Sequence, residues 1–480
     1  MTDESKSTSR PLCVDLDGTL VKTDTFAQAL LLLISTRPGV LFLIPKWASA
    51  GLASFKKRVA KEVQLDPAAL PMQTEFLQFL KQEHAQGRSL ILATASDESV
   101  ARRIAGHLGI FSEVLASDGV TNLRVERKRD ALIARFGENN FDYAGNASDD
   151  LPVWDVAREI IAVNPCGPVR RALRGKSVRL FEDRPAKWKA WLDALRVHQW
   201  TKNTLVFLPM VLAHELTTPD LYLKAGLAFI AFSFAASAIY VFNDLFDLHA
   251  DQHHPRKQAR PFAAGNLSLP DAVVMAPLLV LAALATACLL GAAFVGVLLF
   301  YLLLTTLYSW RLKQIALLDV ITLAGFYTLR ILAGTAAYGV ETSTWLLGFS
   351  VMLFCSLALV KRYAELREEV EVNPGKIGVR GRGYQACHLP WLARVGRIAG
   401  ILSTVVLGFY ITSEKVVQFY KTPAALWFLC PLVLYWIARI WRLAATGRLS
   451  DDPLDFAARD PQTWVIGALG ILVLILGAVF

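Results

Sequence analysis

Cysteine is scarce and unorganised. The six cysteines (Cys13, Cys166, Cys288, Cys355, Cys387 and Cys430) are scattered, and none forms a CxxC pair. Their spacing excludes a disulfide framework and a thiolate zinc site. Three of them lie in long apolar runs, where cysteine serves as a small apolar residue. The N-terminal stretch "MTDESKSTSR" has no apolar core behind it. It does not read as a signal peptide, so the first domain is expected to stay in the cytoplasm. Charge is sparse too: 19% of residues are charged and 54% hydrophobic, with mean hydropathy +0.39. One soluble part joined to one membrane part averages to such values. Lysine and arginine outnumber acids 50 to 41. In a membrane protein that excess belongs to cytoplasmic loops. No basic soluble module with exposed aromatics is present, so nucleic acid is not expected as a partner.

What is there divides in two. Residues 1–10 read as a disordered tail and 11–165 as a soluble α/β domain. "PLCVDL", "SLILATAS" (89–96), "FDYAGNAS" (141–148) and "EIIAVNP" (159–165) are short buried strands, with helical stretches such as "SVARRIAGHLG" and "KRDALIARFG" between them. Strands alternating with helices imply a parallel, Rossmann-like sheet. Residues 24–80 form a helical insertion after the first strand, in which Arg37 and Pro38 break an apolar run into pieces too short to span a bilayer. It reads as a cap packed on the sheet. Residues 166–187 are basic and irregular and read as a linker. In the helix that follows, Trp188, Trp191, Leu192 and Leu195 share one face, suited to a membrane interface.

Residues 188–480 read as an all-α membrane bundle of about nine transmembrane helices. The apolar runs lie near 204–219, 223–242, 270–289, 291–308, 315–337, 344–361, 397–413, 423–441 and 462–480. Basic residues cluster before the first run and after the second, fourth, sixth and eighth. The alternate loops carry few (Lys224, Lys415, Lys421). This bias places the N-terminal domain in the cytoplasm, at the inner membrane.

Directly after the second run comes "NDLFDLHADQHHPRKQARPFAAG" (243–265). Asp244, Asp247 and Asp251 fall on one helix face, following Asn243. Carboxylates so placed repel each other unless a cation sits among them. Mg²⁺ takes oxygen ligands and bridges carboxylates to substrate phosphates. Arg256, Lys257 and Arg260 supply countercharge for a diphosphate. His249, His253 and His254 lack thiol partners and read as loop histidines.

This segment resembles the signature of the UbiA superfamily of intramembrane prenyltransferases, over about residues 190–480. The resemblance implies helices around a central cavity, motifs after the second and sixth helices, and Mg²⁺ between them. "LRVHQWTKN", "HPRKQARPFAAG", "YSWRLK", "KRYAEL" and "DDPLDFAARD" are similar to the branch containing decaprenyl-phosphate phosphoribosyltransferase. That branch implies phosphoribosyl pyrophosphate as donor and a polyprenyl phosphate as acceptor. Lys202 and Asn203 in the first of these stretches, and Lys313 in "YSWRLK", fall with the implied phosphate-binding set. Aromatic prenyltransferases of the superfamily carry DxxxD in the second motif. Here Lys361, Arg362 and Glu365 stand there, followed by Arg380 and Arg382. An acid-poor, arginine-rich motif suits a multiply phosphorylated donor better than a second metal cluster.

The soluble half carries "DLDGT" (15–19), Thr94 at a strand end, Lys128, and "GNASDD" with Asp150. In this order they resemble the four motifs of the haloacid dehalogenase superfamily of phosphatases. The resemblance implies that Asp15 attacks phosphorus and Asp17 protonates the leaving oxygen. It implies that Thr94 and Lys128 hold phosphoryl oxygens, and that Asp15, Asp17 and Asp150 hold Mg²⁺. The family commonly has aspartate after the glycine of the fourth motif, where Asn146 stands here as a further candidate for the Mg²⁺ site, able to ligate or orient. The expected function is therefore Mg²⁺-dependent transfer from a diphosphate, most directly phosphoribosyl to a polyprenyl phosphate, with a cytoplasmic phosphatase acting on a related phosphoester. The alternative is polyprenyl transfer to an aromatic acceptor such as 4-hydroxybenzoate, with an inactive or regulatory head. A transporter with a silent head would need internal repeats and broken midplane helices. The expected partners are the lipid membrane, an isoprenoid lipid and a phosphorylated small molecule. Oligomeric state stays open.

Overall fold

The computed structural model describes residues 10–212, 218–340, 343–372, 383–449 and 452–479. The expected N-terminal tail lies almost wholly outside them, as do Arg380 and Arg382. The chain divides into two compact units. One holds Met1–Leu195 and Tyr240–Ala276, the other Arg196–Ile239 and Pro277–Phe480. The segment with the acidic motif falls in the unit that also holds the soluble domain.

In the first unit, six strands form one parallel sheet: β1 (Leu12–Val14), β2 (Leu90–Asp97), β3 (Glu113–Ser117), β4 (Asp142–Gly145), β5 (Ile160–Val163) and β6 (Val178–Phe181), in the order β3-β2-β1-β4-β5-β6. Side chains alternate across the sheet. Leu12, Val14, Leu90 and Leu92 enter the core under the cap. Cys13, Ile91 and Ala93 enter the core on the other face, with Tyr143 and Trp154. Burial on both faces is what makes these strands read as continuous apolar runs. The sequence reading expected β1, β2, β4 and β5. It missed β3 and β6, which lie at the two edges, where partly exposed residues replace the apolar run. The expected linker, 166–187, is correspondingly structured: helix Gly167–Ala172 leads into β6, so the sheet domain runs to Phe181.

The cap consists of helices Thr25–Thr36, Ile44–Ser49 and Leu52–Glu62. Helix Lys187–Ala194 does not present the expected aromatic face as one surface. Trp188 and Leu192 are exposed, whereas Trp191 packs edge-on against Phe262, and Ala190 and Ala194 are buried beside it.

Among the described residues eight helices are long and apolar enough to cross a membrane, from Pro219–Phe246 to Pro461–Val479. The protein is multi-pass. The first of the nine expected runs, 204–219, differs. Val197–Phe207 is a 3₁₀ segment followed by the short helix Leu208–Leu212, and 213–217 lie outside the described residues. Pro209 lacks a backbone donor. The Val206 carbonyl is taken by the Tyr338 hydroxyl at 2.8 Å instead of by a helical N–H.

Small residues let the helices of the second unit approach closely. Ser356 on helix Thr344–Val372 donates to the Gly396 carbonyl at 2.7 Å and accepts from Trp441 Nε1 at 3.1 Å. A Cβ at Gly396 would overlap the Trp441 ring. Gly396→Val is therefore expected to destabilise the bundle by about 1–3 kcal/mol through overpacking, seen as a lower Tm in detergent.

Candidate functional site

The C-terminal ends of β1, β2 and β4 bring four sequence-distant segments together. Lys128, buried on helix Glu126–Phe136, donates to Asp15 Oδ1 at 2.8 Å and lies 3.4 Å from Asp150 Oδ1. Tyr143 accepts from Lys128 at 2.9 Å and donates to Asp150 at 2.7 Å. The other Asp150 oxygen accepts the backbone N–H groups of Asn146 and Ala147, each at 3.0 Å. Asp150 is thus engaged at both oxygens by the chain itself and acts here as the anchor of Lys128 and the 146–147 turn. Asp17 accepts from the Thr25 N–H at 2.7 Å and from the Ser96 hydroxyl. Thr94 Oγ1 accepts the Ser96 N–H at 3.0 Å. The left-handed Gly18 (φ 81°) closes the "DLDGT" turn. A Cβ there would collide with the Asn146 carboxamide.

Burial pushes the Asp15 carboxyl up to about 7; Lys128 opposes this, while Asp150 and Asp17 add to it. Burial works to lower the Lys128 ammonium, but Asp15 and Asp150 outweigh it and raise it. The Thr19 hydroxyl donates to Asn146 Oδ1 at 3.2 Å and lies 3.5 Å from Asp15 Oδ2. Oxygens of Asp15 and Asn146 therefore converge on one polar hydrogen, an arrangement that fits a small hard cation. Mg²⁺ needs only one or two carboxylates beside its waters and a phosphate.

The same unit carries the acidic motif. Asp247 lies at the junction between helices Pro219–Phe246 and Leu248–Gln252, and backbone hydrogen bonds continue through it: Asp247 N to Asn243 O and Asp251 N to Asp247 O, each 2.8 Å. One Arg260 nitrogen sits 3.3 Å from Asp244 and 2.6 Å from Asp251. A cationic group already stands between two buried carboxylates, so the donor set fits a divalent cation once Arg260 turns to a phosphate. Asp247 and Asn243 are half-buried; Arg256 and Lys257 are exposed. His253 pairs with Asp66 of the soluble domain at 3.0 Å. Among the described residues no three His, Cys, Asp or Glu side chains converge as a ready-made metal cage.

The second unit holds two polar clusters of its own. Lys361 lies 2.7 Å from Asp452, and Lys202 lies 3.2 Å from Asp452 and 3.4 Å from Asp455. The Tyr327 hydroxyl reaches Asp452 at 3.5 Å. The two lysines outweigh burial and hold Asp452 well below the usual carboxylate range. In the second cluster Arg362 is sealed: it pairs with Asp319, bonds the Tyr308 hydroxyl at 2.9 Å and meets Glu365 at 2.5 Å. Arg362 is 2% and Asp319 0% exposed. Lys313 is half-buried and makes no ion pair among the described residues. Asn203 is buried, donating to Ser233 at 3.0 Å.

The sequence reading missed Thr19, Ser96 and Tyr143 in the first unit and Asp319, Asp452 and Asp455 in the second. A signal existed for the last three: an acid inside the apolar run "LLDVITL", and the DxxD spacing of "DDPLD". Nothing local marks Tyr143, which reads as a strand aromatic.

A family model, the UbiA prenyltransferase family, matches residues 204–458. The uncharacterized protein y4nM of Sinorhizobium fredii is 37% identical, over 96% of this chain and 89% of that one. A decaprenyl-phosphate phosphoribosyltransferase of Corynebacterium glutamicum is 32% identical, over 53% of this chain and 75% of that one. Among solved structures, a UbiA homolog from Archaeoglobus fulgidus bound to GPP and Mg²⁺ aligns with 60% of this chain and 98% of its own, at 17% identity and TM-score 0.45. A HAD family hydrolase from Salmonella enterica aligns with 34% of this chain and 64% of its own, at 14% identity and TM-score 0.27.

The sealed pair makes a sharp prediction. Arg362→Met leaves Asp319 charged and unmatched and is expected to cost about 3–5 kcal/mol. The double variant Asp319→Asn/Arg362→Met is expected to recover most of that. Thermal unfolding of the three proteins in detergent measures both.

Proposed function

This chain belongs to the UbiA prenyltransferase family, and we propose that it transfers a phosphoribosyl group from phosphoribosyl pyrophosphate to a polyprenyl phosphate at the inner membrane. The observation that carries this reading is the makeup of its polar motifs. Asp244, Asp247 and Asp251 form one acidic motif; in the second motif Arg362 is locked to Asp319 and Glu365, and Lys361 is the cation that stands where a further acidic set would hold another metal. A donor with more phosphate charge than a prenyl diphosphate suits that substitution. Similarity to a decaprenyl-phosphate phosphoribosyltransferase supports the same branch.

In this reading Asp244, Asp247 and Asp251 hold Mg²⁺, which when bound polarises the departing diphosphate. Arg260 leaves its two carboxylates for a phosphate oxygen, with Arg256 and Lys257 beside it in sequence. Lys202, Lys313 and Lys361 add cationic charge. The bond from the ribosyl carbon to the diphosphate breaks as that carbon gains oxocarbenium character. An acceptor phosphate oxygen forms the new bond, and no side chain becomes a covalent nucleophile. Apolar helix faces take the isoprenoid chain. The cytoplasmic head then hydrolyses a phosphate monoester, for which the 5-phosphate of the lipid-linked product is the natural candidate. Asp15 attacks phosphorus, Asp17 serves as the acid, and Lys128 neutralises a phosphoryl oxygen while Asp150 positions it. Asp15 and Asn146 present oxygens for Mg²⁺.

The test uses full-length protein in detergent with Mg²⁺, labelled phosphoribosyl pyrophosphate and a polyprenyl phosphate. Label is expected in the lipid phase. Asp247→Ala is expected to reduce transfer by roughly 10²–10³-fold, and Asp15→Asn to leave transfer intact while a phosphorylated lipid accumulates. Activity only with a prenyl diphosphate and 4-hydroxybenzoate would overturn the reading.

The head has its own pH signature. An acid raised to about 7 is ionised, and able to attack, only above that pH. Phosphatase turnover at limiting Mg²⁺ is therefore expected to climb through pH 7 and fall away below it. Saturating Mg²⁺, which favours the carboxylate, should move that rise to lower pH. A pH–rate profile at two Mg²⁺ concentrations checks both statements.

A further inference from the structure

One buried cation of the second unit is left over by everything above. Arg330 lies inside the membrane-span helix Leu318–Tyr338 and is 5% exposed. Arg362 is buried to a similar degree but faces Asp319 and Glu365. Arg330 has no carboxylate within 4 Å among the described residues. Its Nε donates to Asn203 Oδ1 at 2.7 Å, and one terminal nitrogen donates to the Phe326 carbonyl at 2.6 Å. The other terminal nitrogen makes no hydrogen bond to the described residues. The guanidinium carbon stands 5.4 Å from the Tyr301 ring centre and 5.8 Å from that of Tyr327.

A charged group in the apolar part of a membrane is costly unless something opposite meets it. Neutral oxygens and ring faces soften the cost and hold the guanidinium in one pose, but they leave its charge unmatched. Asn203 is itself pinned by Ser233 and follows Lys202 in the chain. Tyr327, one helical turn from Arg330, reaches Asp452, the partner of Lys202 and Lys361. Arg330 is therefore continuous with that polar cluster. There Lys202 and Lys361 already pair with Asp452 and Asp455, so Arg330 adds a cation that no carboxylate among the described residues meets within 4 Å.

We propose that Arg330 is the anion subsite for the acceptor, taking the phosphate monoester at the head of an isoprenoid phosphate. The planar fork of arginine pairs with two oxygens of a phosphate or carboxylate, which a lysine does not do. Asn203, Tyr301 and Tyr327 position the fork. The assignment of phosphate rests on the proposed function, and the shared chemistry is an oxyanion carried by the acceptor. An aromatic carboxylate presents the same oxygens.

Binding to full-length protein in detergent tests this without turnover. Wild type, Arg330→Gln and Arg330→Lys are titrated with farnesyl phosphate, farnesol, inorganic phosphate and 4-hydroxybenzoate, each variant first shown to be folded by its unfolding transition. Wild type is expected to prefer farnesyl phosphate to farnesol. Arg330→Gln is expected to weaken farnesyl phosphate roughly 10- to 100-fold, the size of a lost charged hydrogen bond, while farnesol binds as before. Arg330→Lys is expected to restore part of the preference. Wild type binding farnesyl phosphate no better than farnesol overturns the subsite whatever the variants do, as does equal binding of farnesyl phosphate by wild type and Arg330→Gln. Inorganic phosphate competing as well as farnesyl phosphate overturns the lipid assignment in favour of a free phosphate. Arg330-dependent binding of 4-hydroxybenzoate alone overturns the phosphoribosyl reading while keeping Arg330 as the acceptor's anion subsite.

Discussion

A charge removed from water must be met by an opposite charge or a full set of hydrogen bonds, and that requirement organises both units. In the soluble domain one ammonium, Lys128, is shared by Asp15 and Asp150. It holds the ends of β1 and β4 to helix Glu126–Phe136 across a long sequence separation. In the bundle Arg362 is locked to Asp319, and Asp452 is held between Lys202 and Lys361. Removing one member of such a set leaves the others buried and unmatched, which costs more than the set contributes when whole. The clusters are therefore fixed points around which neighbouring helices and strands are placed.

The same requirement separates structural charges from those open to a ligand. Arg362 is saturated by its carboxylates and the Tyr308 hydroxyl, so it serves the bundle. Arg260 is different: it is partly exposed and bridges two acids, Asp244 and Asp251. Asp15 keeps an elevated proton affinity because burial outweighs its lysine. Such tension between a group and its surroundings is common where chemistry is done.

Much of this was legible in advance. Central strands advertise themselves because both of their faces are buried, and their alternation with helices implies a parallel sheet. The acidic motif and the "DLDGT" turn stand out because their spacing serves one helix face or one strand end. The edge strands β3 and β6 were not legible, since an edge needs no apolar run. The 3₁₀ course of 197–207 was hidden as well, because hydropathy cannot tell a spanning helix from a segment tied down by Tyr338. Asp319 and Arg330 look alike in sequence: single charges inside apolar stretches. Their partners lie tens to hundreds of residues away.

The sequence by itself determined the parallel α/β sheet and the multi-pass membrane character, and its motifs carried the resemblance to the UbiA family. The first two depend on composition and periodicity, which are local quantities. Only the tertiary structure decided that 240–276 falls in one unit with the soluble domain, that Asp150 anchors Lys128, that Arg362 is sealed and that Arg330 meets no carboxylate among the described residues. Each depends on which distant charges burial brings within a few ångströms of one another, and no local pattern encodes that.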